Sequence, residues 1–260
     1  MHIFPRTYGV LEIFGQVDRV AYLINVDLVN GTPTNVEGTV VIVDVMRSST
    51  AIVAALRRSA RSVIPCKGIE EATNLAHKLG RRNVVLAGER WGIKPRGFDV
   101  DISPVDFMRM ELKNRVIVYT STNLTRILAR VVELGRNPII VGGFINAKFA
   151  ASAALCSALS NKKAITIVAC GLDEHPAIED IIGAGAIASY MHSVHFTDSV
   201  LAAISAYHNK SWKQMIMRGM VPTYLRLHHR DHLINDLNMC LELNKFRVVP
   251  ILQRGRFVRS

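Results

Sequence analysis

Long apolar runs are missing from this 260-residue chain, and cysteine is scarce. The longest near-apolar stretch, NAKFAASAALCSAL, falls short of the roughly 20 residues that a membrane-spanning helix needs, and it carries Lys148. The opening residues, MHIFPRTYGVLEIF, lack the basic-then-apolar order of a secretory signal. No membrane association and a cytoplasmic location are therefore expected. The four cysteines, Cys66, Cys156, Cys170 and Cys240, are far apart and form no CxxC pair, which argues for reduced core thiols. Nine histidines are scattered, and His228, His229 and His232 have no zinc-like spacing. The chain also lacks a polar tract long enough for disorder, a repeat of fixed period and a low-complexity linker.

Acidic residues are outnumbered, 21 against 32 Lys and Arg, leaving a net charge of +11. The basic residues come in dispersed pairs such as Arg57-Arg58 and Arg81-Arg82, without aromatic interleaving, so no nucleic-acid partner is expected. Only the tail NKFRVVPILQRGRFVRS is locally basic. A solvated basic surface and attraction of small polyanionic substrates both fit this charge.

What is present is alternation. TVVIVD, SVIPC, NVVLAG, RVIVYT, NPIIVGG and AITIVAC are nearly continuous in apolar residues, as strands covered on both faces are. TAIVAALRR, IEEATNLAHKLG, NLTRILARVVELG and NAKFAASAALCSALS between them have helical spacing, with Gly80 and Gly135 at helix ends. The pattern predicts an α/β fold: a mostly parallel or mixed sheet between helix layers, in three α/β/α layers. EIFGQVDRVAYLINV adds one or two strands before it, and a mainly helical segment, about 197–244, follows and ends in a strand, FRVVP. Residues 1–260 read as a single unit, with 113–115 the place where two lobes would part.

Three strands end in polar loops that lead into helices: VDVMRSST (43–50), YTSTNLTR (119–126) and ACGLDEHPAIED (169–180). Carboxyl ends of parallel strands share one edge, where ligands bind, so neighbouring strands would bring these loops together. Ser48 and Ser49 entering a helix either cap it or, with its amides and Arg47, cradle a phosphate. TSTNLTR repeats that chemistry with Asn123, Thr125 and Arg126. Asp44 is a nucleophile, a metal ligand or an acceptor for loop amides; a haloacid-dehalogenase-type mechanism is disfavoured because Met46 stands where a second Asp belongs. Glu179 and Asp180 suit a helix N-terminus through its dipole and equally suit Mg2+ as hard oxygen donors. The long loop AGERWGIKPRGFDVDISP (87–104) holds Glu89, Arg90, Lys94, Arg96, Asp99 and Asp101, and Gly88, Gly92 and Gly97 suggest tight turns in it.

In this order, VVIVDVMRSST, VLAGERWGIKPRGFDVDISP, VIVYTSTNLTRIL, VGGFINA and ACGLDEHPAIEDIIGAGAI resemble the 2-phosphosulfolactate phosphatases, the ComB-like proteins of coenzyme M biosynthesis. HLINDLNMCLELNKFRVVP adds a weaker echo. The resemblance implies a Mg2+-dependent phosphatase that hydrolyses the phosphate monoester of 2-phospho-3-sulfolactate to 3-sulfolactate and phosphate. It implies catalytic roles for Asp44, Arg47, Glu89 and Asp99, with Asp44, Glu179 and Asp180 toward the metal. Ser48, Ser49, Thr50, Arg90, Arg96, Asn123, Thr125, Arg126 and Asn146 are the expected contacts to a small anionic phosphorylated substrate. The chain departs from the family pattern at Asp101-Ile102, where Gly-Asn is usual, and at Leu124, where Gly is usual. A different phospho-hydroxy-acid substrate and a non-catalytic binder are the alternatives those departures leave open, and a homodimer is compatible with all of them.

Overall fold

The computed structural model describes residues 24–227 and 233–260. The first half of the chain alternates regularly: β1 (Ile24–Asn30), β2 (Thr39–Val43), α1 (Ser48–Arg57), β3 (Ser62–Pro65), α2 (Ile69–Leu79), β4 (Val84–Gly88), α3 (Pro104–Arg109), β5 (Val116–Thr120), α4 (Leu124–Leu134). Then come β6 (Ile139–Gly142), α5 (Ala147–Asn161), β7 (Ile165–Ala169), α6 (Ile178–Ala188) and β8 (Val194–Phe196). Four helices follow, α7 (Asp198–His208), α8 (Trp212–Met217), α9 (Met220–Leu227) and α10 (Ile234–Cys240), before the hairpin β9 (Pro250–Gln253) and β10 (Arg256–Arg259).

The six apolar runs form β2 to β7, and β2, β4 and β7 are buried along their whole length because helices cover both faces. Ile42 packs with Ile52, Phe107 and Leu124 from α1, α3 and α4. Its neighbour Val41 points the other way, to Ala150, Ile187 and Val200 of α5, α6 and α7. This alternation places the sheet between two helix layers. Gly80 (φ 78°) and Gly135 (φ 153°) end α2 and α4 in conformations that a side chain disfavours.

The ten strands form one mixed sheet in the order β4-β5-β3-β10-β9-β6-β2-β7-β1-β8. Two parallel groups, β4-β5-β3 and β6-β2-β7-β1-β8, are joined by the C-terminal hairpin. The contacts β3 to β10, β10 to β9 and β9 to β6 are all antiparallel, so three successive reversals leave the two groups running in opposite senses. β2 and β7 are neighbours, as the convergence of their loops requires, but β5 belongs to the other group.

Several expectations change. The strand expected at FRVVP begins only at Pro250, and the hairpin partner β10 was not anticipated. Of the segment 12–26 expected to add strands, Ile24 onward lies in β1 and the remainder is outside the described residues, as are His228, His229 and His232. Cys66, Cys170 and Cys240 are buried free thiols, whereas Cys156 is an exposed one. Gly92 and Gly97 adopt positive φ in turns, but Gly88 is a strand residue: a Cβ there would lie 2.7 Å from the Phe98 ring and 2.8 Å from Thr120. Among the described residues no helix is long and apolar enough to cross a membrane.

Candidate active site

Strand β2 delivers its last residue into a turn, and that turn is built around Asp44. Ser49 donates its backbone N–H to the Asp44 carbonyl at 2.8 Å, and the Asp44 N–H donates to Ser49 Oγ at 2.9 Å. α1 therefore starts directly beneath the Asp44 carboxylate, which the hydroxyl and backbone N–H of Ser48 face. From the other parallel group, the Leu124 N–H at the start of α4 donates to Asp44 Oδ2 at 3.2 Å. Two helix N-termini thus converge on one anion, and that anion is a side chain of the protein itself. Burial pushes the Asp44 carboxyl up to about 6, Glu89 adds to the rise, and the hydrogen bonds from Ser48 and Leu124 oppose it.

Three more buried carboxylates surround it. Asp180 accepts the Val45 N–H on Oδ1 at 2.7 Å and the Gly171 N–H on Oδ2 at 2.9 Å, pinning the loop after β2 to the loop after β7. Burial, then repulsion from Asp44 and Glu179, holds its carboxyl well above the usual range. Burial raises Glu179 to about 7, with Asp44 contributing. Glu89 closes the other side: Oε1 accepts the Thr122 N–H at 2.6 Å, and Oε2 accepts the Gly92 N–H at 2.7 Å and the Thr122 hydroxyl at 3.0 Å. Of the amides of SSTA and TNLT, where the sequence suggested a phosphate cradle, those of Ser48, Thr122 and Leu124 are held by these carboxylates.

The expected cations divide sharply. Arg47 is buried, and its Nη1 donates to Asp101 Oδ2 and to Asp236 Oδ2, each at 2.8 Å. Those carboxylates raise its guanidinium pKa despite the opposing effect of burial. Arg90 donates to the carbonyls of Glu89 (2.6 Å) and Lys67 (3.1 Å) and to Thr120 Oγ1 (2.8 Å), so it braces the loop. Lys94 donates to the Phe98 carbonyl at 3.1 Å. Arg126 reaches Thr32 and Glu174, and Arg96 is exposed.

A cavity of about 500 Å³ opens over Asp44. Its polar end is formed by Asp44, Arg47, Ser48, Glu89, Thr122 and Asn123, and Arg218 also lines it. Met220, Val221, Leu225, Leu233 and Leu237 from α9, α10 and their flanks join Met46, Trp91, Ile102 and Leu172 in an apolar wall. A smaller adjoining pocket shares Leu172, Arg218 and Met220 and reaches Glu179.

The structure brings Asp44, Arg47, Ser48, Glu89 and Asn123 to one cavity and sets Glu179 and Asp180 beside them. Others are turned elsewhere. Ser49 and Thr125 lock their own helix starts, Thr125 Oγ1 donating to the Ser121 carbonyl at 2.7 Å. Thr50 is buried next to Cys240. Asp99 accepts the Leu86 N–H at 2.8 Å and pairs with Arg81, away from the cavity. Asn146 donates to the Val141 and Val248 carbonyls and accepts the Gly143 N–H, joining β6 to the C-terminal segment. Thr122 and Asp236 had not been singled out; TSTNLTR and the echo in HLINDLN were their only sequence signals.

The donor set suits a hard divalent cation. Asp44, Glu179 and Asp180 repel one another, and the buried Asn123 Oδ1 has no hydrogen-bond partner among the described residues. Among those residues no three His, Cys, Asp or Glu side chains stand assembled as a metal cage. A Mg2+ ion, however, is usually held by one or two carboxylates, with waters and substrate phosphate completing its shell.

Comparison with known proteins covers nearly the whole chain. Residues 26–255 match the sequence profile of the 2-phosphosulpholactate phosphatases. A probable 2-phosphosulfolactate phosphatase of Caldanaerobacter subterraneus subsp. tengcongensis is 32% identical over 222 residues, 84% of this chain and 89% of the relative. Proteins of the same description from Pseudothermotoga lettingae (30% over 233 residues, 88% and 95%) and Carboxydothermus hydrogenoformans (31% over 229, 84% and 89%) are similar. With its motif order, its α/β architecture and this profile in agreement, the chain belongs to the 2-phosphosulpholactate phosphatase family.

Proposed function

We propose that this protein is a Mg2+-dependent phosphatase that hydrolyses the phosphate monoester of 2-phospho-3-sulfolactate, releasing 3-sulfolactate and phosphate. The observation that carries the reading is the Asp44 carboxylate, fixed between the starts of α1 and α4 at the polar end of the cavity, with Arg47 beside it. Asp44 and Glu179, with Asp180 and Asn123 alongside, would hold the metal. Bound there, Mg2+ would neutralise phosphoryl charge and make an attacking water more acidic.

The chain's own groups supply the rest. Arg47 presents guanidinium N–H groups to the phosphoryl oxygens, and the Ser48 and Thr122 hydroxyls add neutral donors. Glu89, spent on three hydrogen bonds, holds Thr122 and Gly92 in place around the phosphoryl site. Binding of the cation at Glu179, whose carboxyl burial raises to about 7, would release protons near neutral pH. The test is phosphate release from 2-phosphosulfolactate with Mg2+ and with EDTA, for wild type and Asp44→Asn. Release that requires both Mg2+ and Asp44 supports the reading; release that survives EDTA or Asp44→Asn sinks it.

A second reading, a phosphatase for a different phospho-hydroxy acid, is favoured by the apolar wall. Ile102, Met220, Val221, Leu225 and Leu237 offer a sulfonate nothing, Arg90 and Lys94 are spent on backbone carbonyls, and among the described residues Arg218 is the one cation besides Arg47 in the lining. Comparing kcat/KM for phosphosulfolactate with that for phosphate esters of hydroxy acids with apolar side chains decides between the two.

A further inference from the structure

We infer that Asp236 is a positioning residue that aims the Arg47 guanidinium at the phosphoryl group; the inference rests on the phosphatase reading above. Asp236 lies on α10, 189 residues from Arg47 in sequence, and its side chain is 3% exposed. Its Oδ2 accepts Arg47 Nη1 at 2.8 Å, while Oδ1 accepts the Ser103 hydroxyl at 2.6 Å and the Val105 N–H at 3.4 Å. Ser103 is itself fixed as the N-cap of α3, its Oγ accepting the Asp106 N–H at 3.1 Å. The carboxylate cannot turn without giving up the bonds from Ser103 and Val105.

On the other side Asp101 Oδ2 takes the same Nη1 at 2.8 Å, and Asp101 Oδ1 accepts the Ile102 N–H at 2.7 Å. Nη1 has two hydrogens, and the two aspartates use both. Among the described residues Arg47 makes its side-chain hydrogen bonds through Nη1 alone, and Arg47 lines the cavity. Nε and Nη2, with three N–H bonds, donate to none of the described residues and are the donors these residues leave for a bound phosphoryl group. Fold stability alone does not call for this arrangement, because apolar side chains of similar volume often serve a buried site as well as an ion pair does. Two carboxylates gripping one nitrogen of a guanidinium do something apolar packing cannot: they fix the plane of the fork and keep its other edge unspent. α10, far from the polar loops in sequence, enters the site by this route.

The test is a double-mutant cycle on the full chain supplied with Mg2+, with inorganic phosphate binding followed by calorimetry and phosphosulfolactate hydrolysis in parallel. Asp236→Asn should weaken phosphate binding and lower kcat/KM by about 10- to 100-fold, the scale seen when outer partners of metal ligands are removed. In the Arg47→Ala background the same change should cost nothing further, and Asp236→Glu should restore part of the loss in the presence of Arg47. A folded Asp236→Asn protein with unchanged phosphate affinity overturns the inference, and so does an equal loss in both backgrounds. If Asp236→Asn fails to fold, Ser103→Ala removes one anchor of the carboxylate and is read in the same cycle. A wild type that neither binds phosphate nor hydrolyses any monoester refutes the phosphatase reading itself, before any variant is compared, and this inference with it.

Discussion

Replacing Asp44 with Asn should make the metal-free protein more stable while abolishing its activity. Asp44 is 5% exposed, and its carboxyl is displaced from an ordinary 3.8 to about 6, by burial first and by Glu89 second. The folded state therefore holds the Asp44 proton more tightly than the unfolded chain does. The resulting stability is fully present below pH 3.8 and is lost as pH rises through about 6, so above that the ionised carboxylate opposes folding by on the order of 3 kcal/mol. Asn fills the same volume and its oxygen still accepts the Leu124 N–H, but its amide nitrogen cannot accept from Ser48, which returns about 1 kcal/mol of the gain. The net is about 2 kcal/mol, or a rise in Tm of about 4–8 °C for a chain of this size. The assay is thermal unfolding of wild type and Asp44→Asn in EDTA from pH 4.5 to 8. Wild-type stability should decline from pH 4.5 to 7 more steeply than that of the variant, and Mg2+ at pH 8 should raise the wild-type Tm but not the variant's. A variant that melts below wild type at pH 8 in EDTA, or that keeps the wild-type pH profile, would refute the reasoning.

Other outcomes follow from single contacts. Glu89→Gln leaves a backbone donor of Thr122 or Gly92 facing an amide N–H, so the loop pair should loosen at a cost of about 1–3 kcal/mol, read as faster hydrogen exchange at both amides. Arg126→Ala breaks a half-exposed pair with Glu174 and a hydrogen bond to Thr32, both outside the cavity; stability should move by about 1 kcal/mol or less, and a tenfold fall in kcat/KM would put Arg126 back among the substrate contacts. Gly185→Ala sets a Cβ 2.0 Å from the Ala203 carbonyl oxygen of α7, so α6 and α7 must part, and denaturant unfolding should register about 3 kcal/mol of destabilisation.

The strands and helices around the site were legible because their burial is extreme. A strand covered on both faces has to be apolar throughout, and TVVIV and ITIVA are. The sheet order was not legible. It depends on β9 and β10, whose residues PILQ and RFVR carry too little apolar character to announce themselves, and which reverse the sense of half the sheet. In the site, Asp44 and Arg47 stood out because polar residues directly after a buried strand need a reason. Asn146 and Asp99 looked equally polar in sequence, yet each spends its side chain on the local fold, and Thr50 is buried next to Cys240. Composition does not separate an amide that binds a ligand from one that binds the Val248 carbonyl, because both are polar groups taken from water and both need partners. Asp236 was hidden for the opposite reason: its partner is 189 residues away, and no local pattern records a contact of that separation.

The electrostatics of the floor make a final demand on the mechanism. The chain carries +11 overall, but Glu89, Glu179 and Asp180 act on Asp44 by charge repulsion, and the buried guanidinium of Arg47 already faces two aspartates. A phosphate monoester entering that floor in its ionised state meets like charge in a medium where the repulsion is weakly screened. A cation at the carboxylates would offset that repulsion, so on the proposed reading binding of phosphate and binding of Mg2+ should be reciprocally coupled. Calorimetric titration of inorganic phosphate should accordingly show binding with Mg2+ and none in EDTA, and phosphate should tighten Mg2+ by the factor that Mg2+ tightens phosphate. Equal phosphate affinity with and without the metal would mean that Arg47 and the hydroxyls suffice alone, and that the buried carboxylates serve the fold and not the reaction.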